Sequence, residues 1–277
     1  MTTSHTIKVC GRLLVVGLLS AAQCSCTSVK ATGTYSLSGS PITYTSGGQG
    51  EPVVVFETGL GNSKEVWDLV LPAVERTHAV FAYDRPGYGG SAPVAGHRDA
   101  CTVATEEHSL LHSKGIAPPY ILVGHSIGGL YEYVYTKLYP QDVMGVVLVD
   151  PTPPGHLARM QREAPEDLAA MTEGIRALND TERREWDDMD ACLEQIDTTT
   201  PLSVPVRVLV ETRREPTRSD AFGQMMQRNH QYWGRLAGRP AEEVAGSGHF
   251  IQRERPQSVI DAIAAVSREI SPHSKTN

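Results

Sequence analysis

Gly124-His125-Ser126-Ile127-Gly128 follows directly on the apolar run Pro119-Tyr120-Ile121-Leu122-Val123. The run is β-prone and reads as a strand. The segment 129–139 spaces Leu130, Tyr133, Val134 and Leu138 along one helical face, and Pro140 stops it. A chain that passes from strand to helix in so few residues must turn sharply, backbone against backbone. Glycine permits that approach where a Cβ would clash. Such a turn leaves the central serine exposed above the end of the strand.

The same alternation recurs along the chain. Segments 52–57, 79–83, 120–123, 144–149, 206–210 and 243–245 read as strands. Most are continuous apolar runs, as expected of parallel strands buried on both faces. Helical stretches fall between them, at 64–75, 102–114, 129–139, 220–236 and 256–270. Strand–helix alternation implies an α/β fold with a mostly parallel central sheet flanked by helices. Residues 51–151 and 201–272 form this core. Residues 152–200 differ: charges crowd around Leu157, Met160, Leu168, Met171, Ile175 and Leu178. They read as two or three amphipathic helices, a small cap whose methionines seal it against the core and whose charges form a solvated face. Residues 23–50, rich in Ser, Thr and Gly, read as a linker with one edge strand near Ile42-Thr43-Tyr44.

Residues 1–22 have the layout of an export signal. Lys8 and Arg12 precede the apolar run 13–19, and Ser20-Ala21-Ala22 offers a cleavage site. The run is too short to span a bilayer as a helix. Export to the periplasm or medium is therefore expected, with no integral membrane span in the mature form; a lipid anchor through Cys24 or Cys26 is the alternative. Acidic residues outnumber basic ones 32 to 25, for a net charge of −7, which argues against nucleic acid and against a generally anionic membrane surface as partners. In an exported chain Cys101 and Cys192 either pair, pinning cap to core, or stay free. No zinc-type Cys/His spacing occurs, and neither a metal nor a cofactor is expected.

Five stretches, in order, resemble the α/β-hydrolase superfamily over roughly residues 50–270. They are Phe56-Glu57-Thr58-Gly59-Leu60-Gly61, Tyr83-Asp84-Arg85-Pro86-Gly87-Tyr88-Gly89-Gly90-Ser91, the serine pentapeptide, Val146-Val147-Leu148-Val149-Asp150-Pro151, and Gly246-Ser247-Gly248-His249-Phe250. The first departs from the superfamily's usual His-Gly pair by carrying Thr58-Gly59. The resemblance implies a serine hydrolase acting on a small-molecule ester or amide. It implies Ser126 as nucleophile, His249 as base, and the backbone N–H groups of Leu60 and Ile127 as oxyanion donors.

A serine hydroxyl needs a base within hydrogen-bond reach, and the base needs an orienting acid. Asp150, at the C-terminal end of a strand, is the preferred acid. Glu215 and Asp220 are the alternatives, both after the later strand; Arg213, Arg214 and Arg218 compete for Glu215. His125 is assigned to packing or hydrogen bonding. Asp84 and Arg85 are assigned to a buried pair holding the glycine turn that follows them. Serine at position 126 argues against the carboxylate nucleophile of haloalkane dehalogenases and epoxide hydrolases. Carboxylic-ester cleavage is the expected chemistry. The alternatives are an amidase, peptidase or lactonase on the same triad, or a slow-turnover small-ligand binding protein.

Overall fold

Five- to seven-residue runs such as Val53-Val54-Val55-Phe56-Glu57 and Val143–Val149 have apolar side chains on both faces, so both faces must be covered. The computed structural model describes residues 31–37 and 40–270, and in it helices cover both faces of the sheet that these runs form. The proposed leader and both candidate anchor cysteines lie outside the described residues. In chain order the elements are β1 (Ala31–Leu37), β2 (Ser40–Gly47), β3 (Val53–Glu57), a 3-10 turn (Lys64–Trp67), α1 (Leu71–Val74), β4 (Val80–Tyr83), α2 (Ala100–Ser113), β5 (Tyr120–His125), α3 (Ile127–Leu138) and β6 (Val143–Val149). There follow α4 (His156–Glu163), α5 (Pro165–Ile175), α6 (Asp180–Asp188), a 3-10 turn (Leu193–Gln195), β7 (Val206–Glu211), α7 (Asp220–Leu236), β8 (Glu242–Val244), α8 (Ile251–Glu254) and α9 (Pro256–Ile270).

The strands form one sheet in the order β1-β2-β4-β3-β5-β6-β7-β8. From β4 to β8 every neighbouring pair is parallel; β2 runs antiparallel to both β1 and β4. This is the α/β-hydrolase fold. On one face Val55, Leu122 and Val146 pack with Leu110, Leu111, Tyr131 and Tyr135 from α2 and α3. On the other, Val54, Ile121 and Val147 pack with Trp67, Leu71, Val259 and Ile263.

Two expectations need correction. The strand expected near Ile42-Thr43-Tyr44 is present as β2, with Ile42 fully buried, but Ala31–Leu37, read as linker, is a second strand, β1, paired antiparallel to it. Its Ser, Thr and Gly content masked β-branched and aromatic residues suited to a half-buried edge. The helix expected over 64–75 is broken into a 3-10 turn and α1. Pro72 lacks the N–H and crowds the preceding turn, so the helix can only restart around it.

The segment 152–200 carries α4, α5 and α6, and Cys192 is bridged to Cys101 at the start of α2. The cap's charges do not all face solvent, contrary to the sequence reading. Glu185 of α6 is fully buried and Asp167 of α5 nearly so. Asp167 takes hydrogen bonds from the Ser219 N–H and hydroxyl at the start of α7. Glu185 meets two buried guanidiniums, which is why it can be inside at all.

Candidate active site

The turn between β5 and α3 holds Ser126 at φ 55°, ψ −125°, a conformation that L-residues rarely adopt. Its surroundings over-determine it. The Ser126 N–H donates to Val149 O at 3.0 Å, and the Ser126 carbonyl accepts from the N–H groups of Gly129 at 2.9 Å and Thr152 at 3.0 Å. A Cβ on Gly124 would run into the Gly128 carbonyl, and one on Gly128 into the carbonyls of Thr58 and Glu57. The glycines of the pentapeptide therefore admit the close packing of elbow, β3 loop and helix.

Asp150 follows β6 at φ 45°, with its N–H bonded to Leu209 O at 2.8 Å. One carboxylate oxygen accepts the Glu211 N–H at 3.1 Å; the other lies 2.6 Å from His249 Nδ1. Burial would raise the Asp150 carboxyl, but the bond and charge of His249 and the Glu211 N–H together outweigh it and hold the group below its ordinary value. Desolvation pulls the His249 imidazole down, while the Asp150 bond and charge push it up and prevail. Glu211 sits beside them; burial and then the Asp150 charge raise it to about 7.

The loop after β8 delivers His249. The Ser247 carbonyl accepts the N–H groups of Thr212 and Arg213, at 3.1 and 2.8 Å. His125 is fully buried beneath this loop and its Nε2 donates to the His249 carbonyl at 2.9 Å. Burial, then the neighbouring His249, lowers the His125 pKa to about 3, so it is a neutral hydrogen-bonding group. Of the two alternative acids, Glu215 pairs with Arg218 at 3.2 Å and Asp220 with Arg214 at 2.6 Å. Neither reaches His249 by a hydrogen bond among the described residues.

Ser126, Asp150, His249, Leu60 and Ile127 all line one cavity of about 930 Å³. Leu60 follows β3 and Ile127 opens α3, where the helix dipole favours negative charge. Among the described residues neither N–H has a hydrogen-bond acceptor, so both are free to serve one. One part of the wall is apolar, with Met171, Ile175, Trp186 and Met189 from the cap and its exit and Phe222 and Met226 from α7, while Arg213, Arg214, Glu215 and Arg218 give it a charged side. The methionines thus do more than seal the cap.

Asp84 and Arg85 are both buried but do not pair with each other. They are consecutive residues leaving a strand, so their side chains diverge. Asp84 accepts from the Lys64 backbone N–H at 2.7 Å and the Lys64 ammonium at 2.9 Å. Arg85 reaches the other way. Its Nη1 donates to the Thr58 carbonyl at 2.6 Å and to Glu57, its Nη2 to the Gly59 carbonyl at 3.3 Å, and its Nε and Nη2 to Glu185. Glu185 also accepts from Arg98 at 3.1 Å and the Tyr88 hydroxyl at 2.6 Å. A single guanidinium therefore joins the loop carrying Leu60 to the cap helix α6. Glu57 was detectable in principle, as a carboxylate closing an otherwise apolar strand. Glu185 was not, being one acid among many in the cap.

Residues 54–262 match the Alpha/beta hydrolase family, and the chain belongs to it. It is 35% identical over 98 residues to the uncharacterized protein YqjL of Bacillus subtilis, covering 35% of this chain and 39% of that one. It is 34% identical over 102 residues to the putative carbamate hydrolase RutD of Klebsiella pneumoniae, covering 36% and 38%. Both matches span under two thirds of the relative's own length. The crystal structure of epoxide hydrolase A from Mycobacterium thermoresistibile superposes with a TM-score of 0.66 at 19% identity, over 87% of this chain and 98% of that one. At that identity the likeness concerns the fold alone. Among the described residues, no helix is long and apolar enough to cross a membrane.

Proposed function

We propose that the protein is an exported serine hydrolase that cleaves carboxylic esters through an acyl-enzyme. The observation that carries this reading is the 2.6 Å contact between His249 Nδ1 and a buried Asp150 carboxylate, beside a serine held at positive φ in the same cavity. With Nδ1–H committed to Asp150, His249 Nε2 is the basic nitrogen. Ser126 Oγ attacks the ester carbonyl and gives its proton to Nε2. The Leu60 and Ile127 N–H groups take the developing oxyanion, an interaction typically worth about 3 kcal/mol per donor. Collapse of the intermediate expels the alcohol, which leaves with the proton from His249. Water, deprotonated by the same nitrogen, then releases the acid and restores Ser126.

Apolar walls from Met171, Ile175, Phe222 and Met226 suit an apolar acyl or alcohol group. Export is supported by the leader layout in residues 1–22 and by the Cys101–Cys192 bridge, since disulfides persist in oxidising compartments. The test is turnover of nitrophenyl esters from acetyl to long-chain acyl, with matched anilides alongside, by the native protein and by Ser126→Ala. Ester turnover that the substitution abolishes is the expected result. Faster cleavage of the anilides would move the reading to amidase; no turnover of either class by a folded protein would defeat it.

A further inference from the structure

At the end of the sheet away from Ser126, α2 and the turn before β6 bring three metal-type donors together. β5 begins at Tyr120 and ends at the serine turn, a span of about 20 Å for six residues. The Tyr120 N–H, at the far end, donates to the Asp142 carbonyl at 2.8 Å, and the Asp142 N–H donates to Tyr139 O at 3.0 Å. Asp142 is thus fixed by its backbone at both sides. His108 and His112 stand four residues apart on α2, so both rings lie on one helix face. Their Nε2 atoms approach the same oxygen, Asp142 Oδ2, at 3.3 and 3.4 Å. The three donor atoms all lie within 4.8 Å of one another, and none of these residues lines the cavity.

The spacing carries the argument. A charge-assisted N–H···O⁻ hydrogen bond normally closes to about 2.7–2.9 Å. Two ligand atoms on a tetrahedral ion, with bonds of about 2.0–2.1 Å, stand roughly 3.3–3.4 Å apart. Both contacts have that second length. The rings are also held in place: His108 stacks on Tyr139 at 3.9 Å with an 11° tilt, and the two imidazoles lie 4.2 Å apart. The side chains of His108, His112 and Asp142 are 26%, 47% and 17% exposed, so an ion could enter and keep a water ligand.

We propose that His108, His112 and Asp142 form a divalent transition-metal site, two imidazoles and one carboxylate with water as the fourth ligand, of the kind Zn²⁺ accepts. It is independent of the ester chemistry. An ion there ties α2 to the turn between α3 and β6. The sequence-based expectation that no zinc-type spacing occurs passes over the His108-x3-His112 pair; Asp142 lies 30 residues beyond His112 and meets it only in the fold.

The test is equilibrium dialysis of the full, tag-free chain against Zn²⁺ near neutral pH, with thermal melting in parallel. One zinc per chain is expected, at least about tenfold weaker in both His112→Ala and Asp142→Asn and unchanged in His249→Ala. His112 is half exposed, so His112→Ala should melt like the native protein without zinc, and zinc should raise the midpoint of the native protein but not that of His112→Ala. Retention of zinc by both variants, loss only in His249→Ala, or no binding at about 1 mM Zn²⁺ would overturn the proposal.

Discussion

Asp150→Asn isolates the orienting role proposed for the carboxylate. The backbone should tolerate it, because φ at Asp150 is 45° and asparagine visits that region more readily than most residues. Asn Oδ1 can still accept the Glu211 N–H that Asp150 accepts at 3.1 Å. The amide nitrogen then faces His249 Nδ1, where the carboxylate lay at 2.6 Å. A donor there requires Nδ1 to accept, which moves the imidazole proton to Nε2. That nitrogen can then no longer take the proton from Ser126. Loss of the charge also removes what stabilises the imidazolium as it forms. Wrong-tautomer substitutions of this kind lower turnover by about 10³–10⁴-fold, equivalent to about 4–5.5 kcal/mol at 1.36 kcal/mol per decade. The assay is kcat/KM on a short nitrophenyl ester for Asp150→Asn and Glu215→Gln, each shown by melting to be folded. Asp150→Asn within about tenfold of the native protein, or Glu215→Gln falling as far, would refute the assignment of the acid.

Other expectations follow from the same geometry. The pH profile of kcat/KM should rise through the His249 pKa, because the base must be neutral. The midpoint should lie above the ordinary imidazole value of 6.5, since Asp150 and Glu211 raise it, and Glu211→Gln should move it to lower pH. An unmoved midpoint would contradict this. Glu185→Leu removes the carboxylate shared by the buried Arg85 and Arg98 guanidiniums, leaving each only its other partner, Glu57 or Glu106, and should cost about 3–5 kcal/mol. At roughly 2–4 °C per kcal/mol that is a fall in Tm of about 6–20 °C, and a change under about 2 °C would show that the network adds little. Gly59→Ala would put a Cβ 2.8 Å from His125 Nδ1 and 3.1 Å from Ser126 Cβ. Displacing the Leu60 donor in this way should lower kcat by about 10²-fold, with unchanged kcat counting against that donor.

What was legible in the sequence was local. Strands such as Tyr120–His125 and Val143–Val149 are continuous apolar runs, and the elbow is written as two glycines, Gly124 and Gly128, set two residues either side of one serine. Asp150 could be singled out by its place at a strand end, and the structure puts it against His249. What was not legible depends on partners distant in sequence. Glu185 looks like any solvated cap acid until Arg85, exactly 100 residues earlier, is brought to it. Asp84 and Arg85 read as a pair because they are neighbours in sequence, yet strand alternation sends them to opposite sides. Strand β1 escaped because an edge strand's polar face resembles a linker.

The most direct test of the central claim is covalent trapping of the nucleophile. The folded protein would be treated with a fluorophosphonate, the adduct located by peptide mass spectrometry, and residual esterase activity measured on the same sample. The account predicts one adduct per chain, on Ser126, with activity lost in proportion and labelling greatly slowed in His249→Ala. Labelling at another residue, or full activity with Ser126 modified, would contradict it.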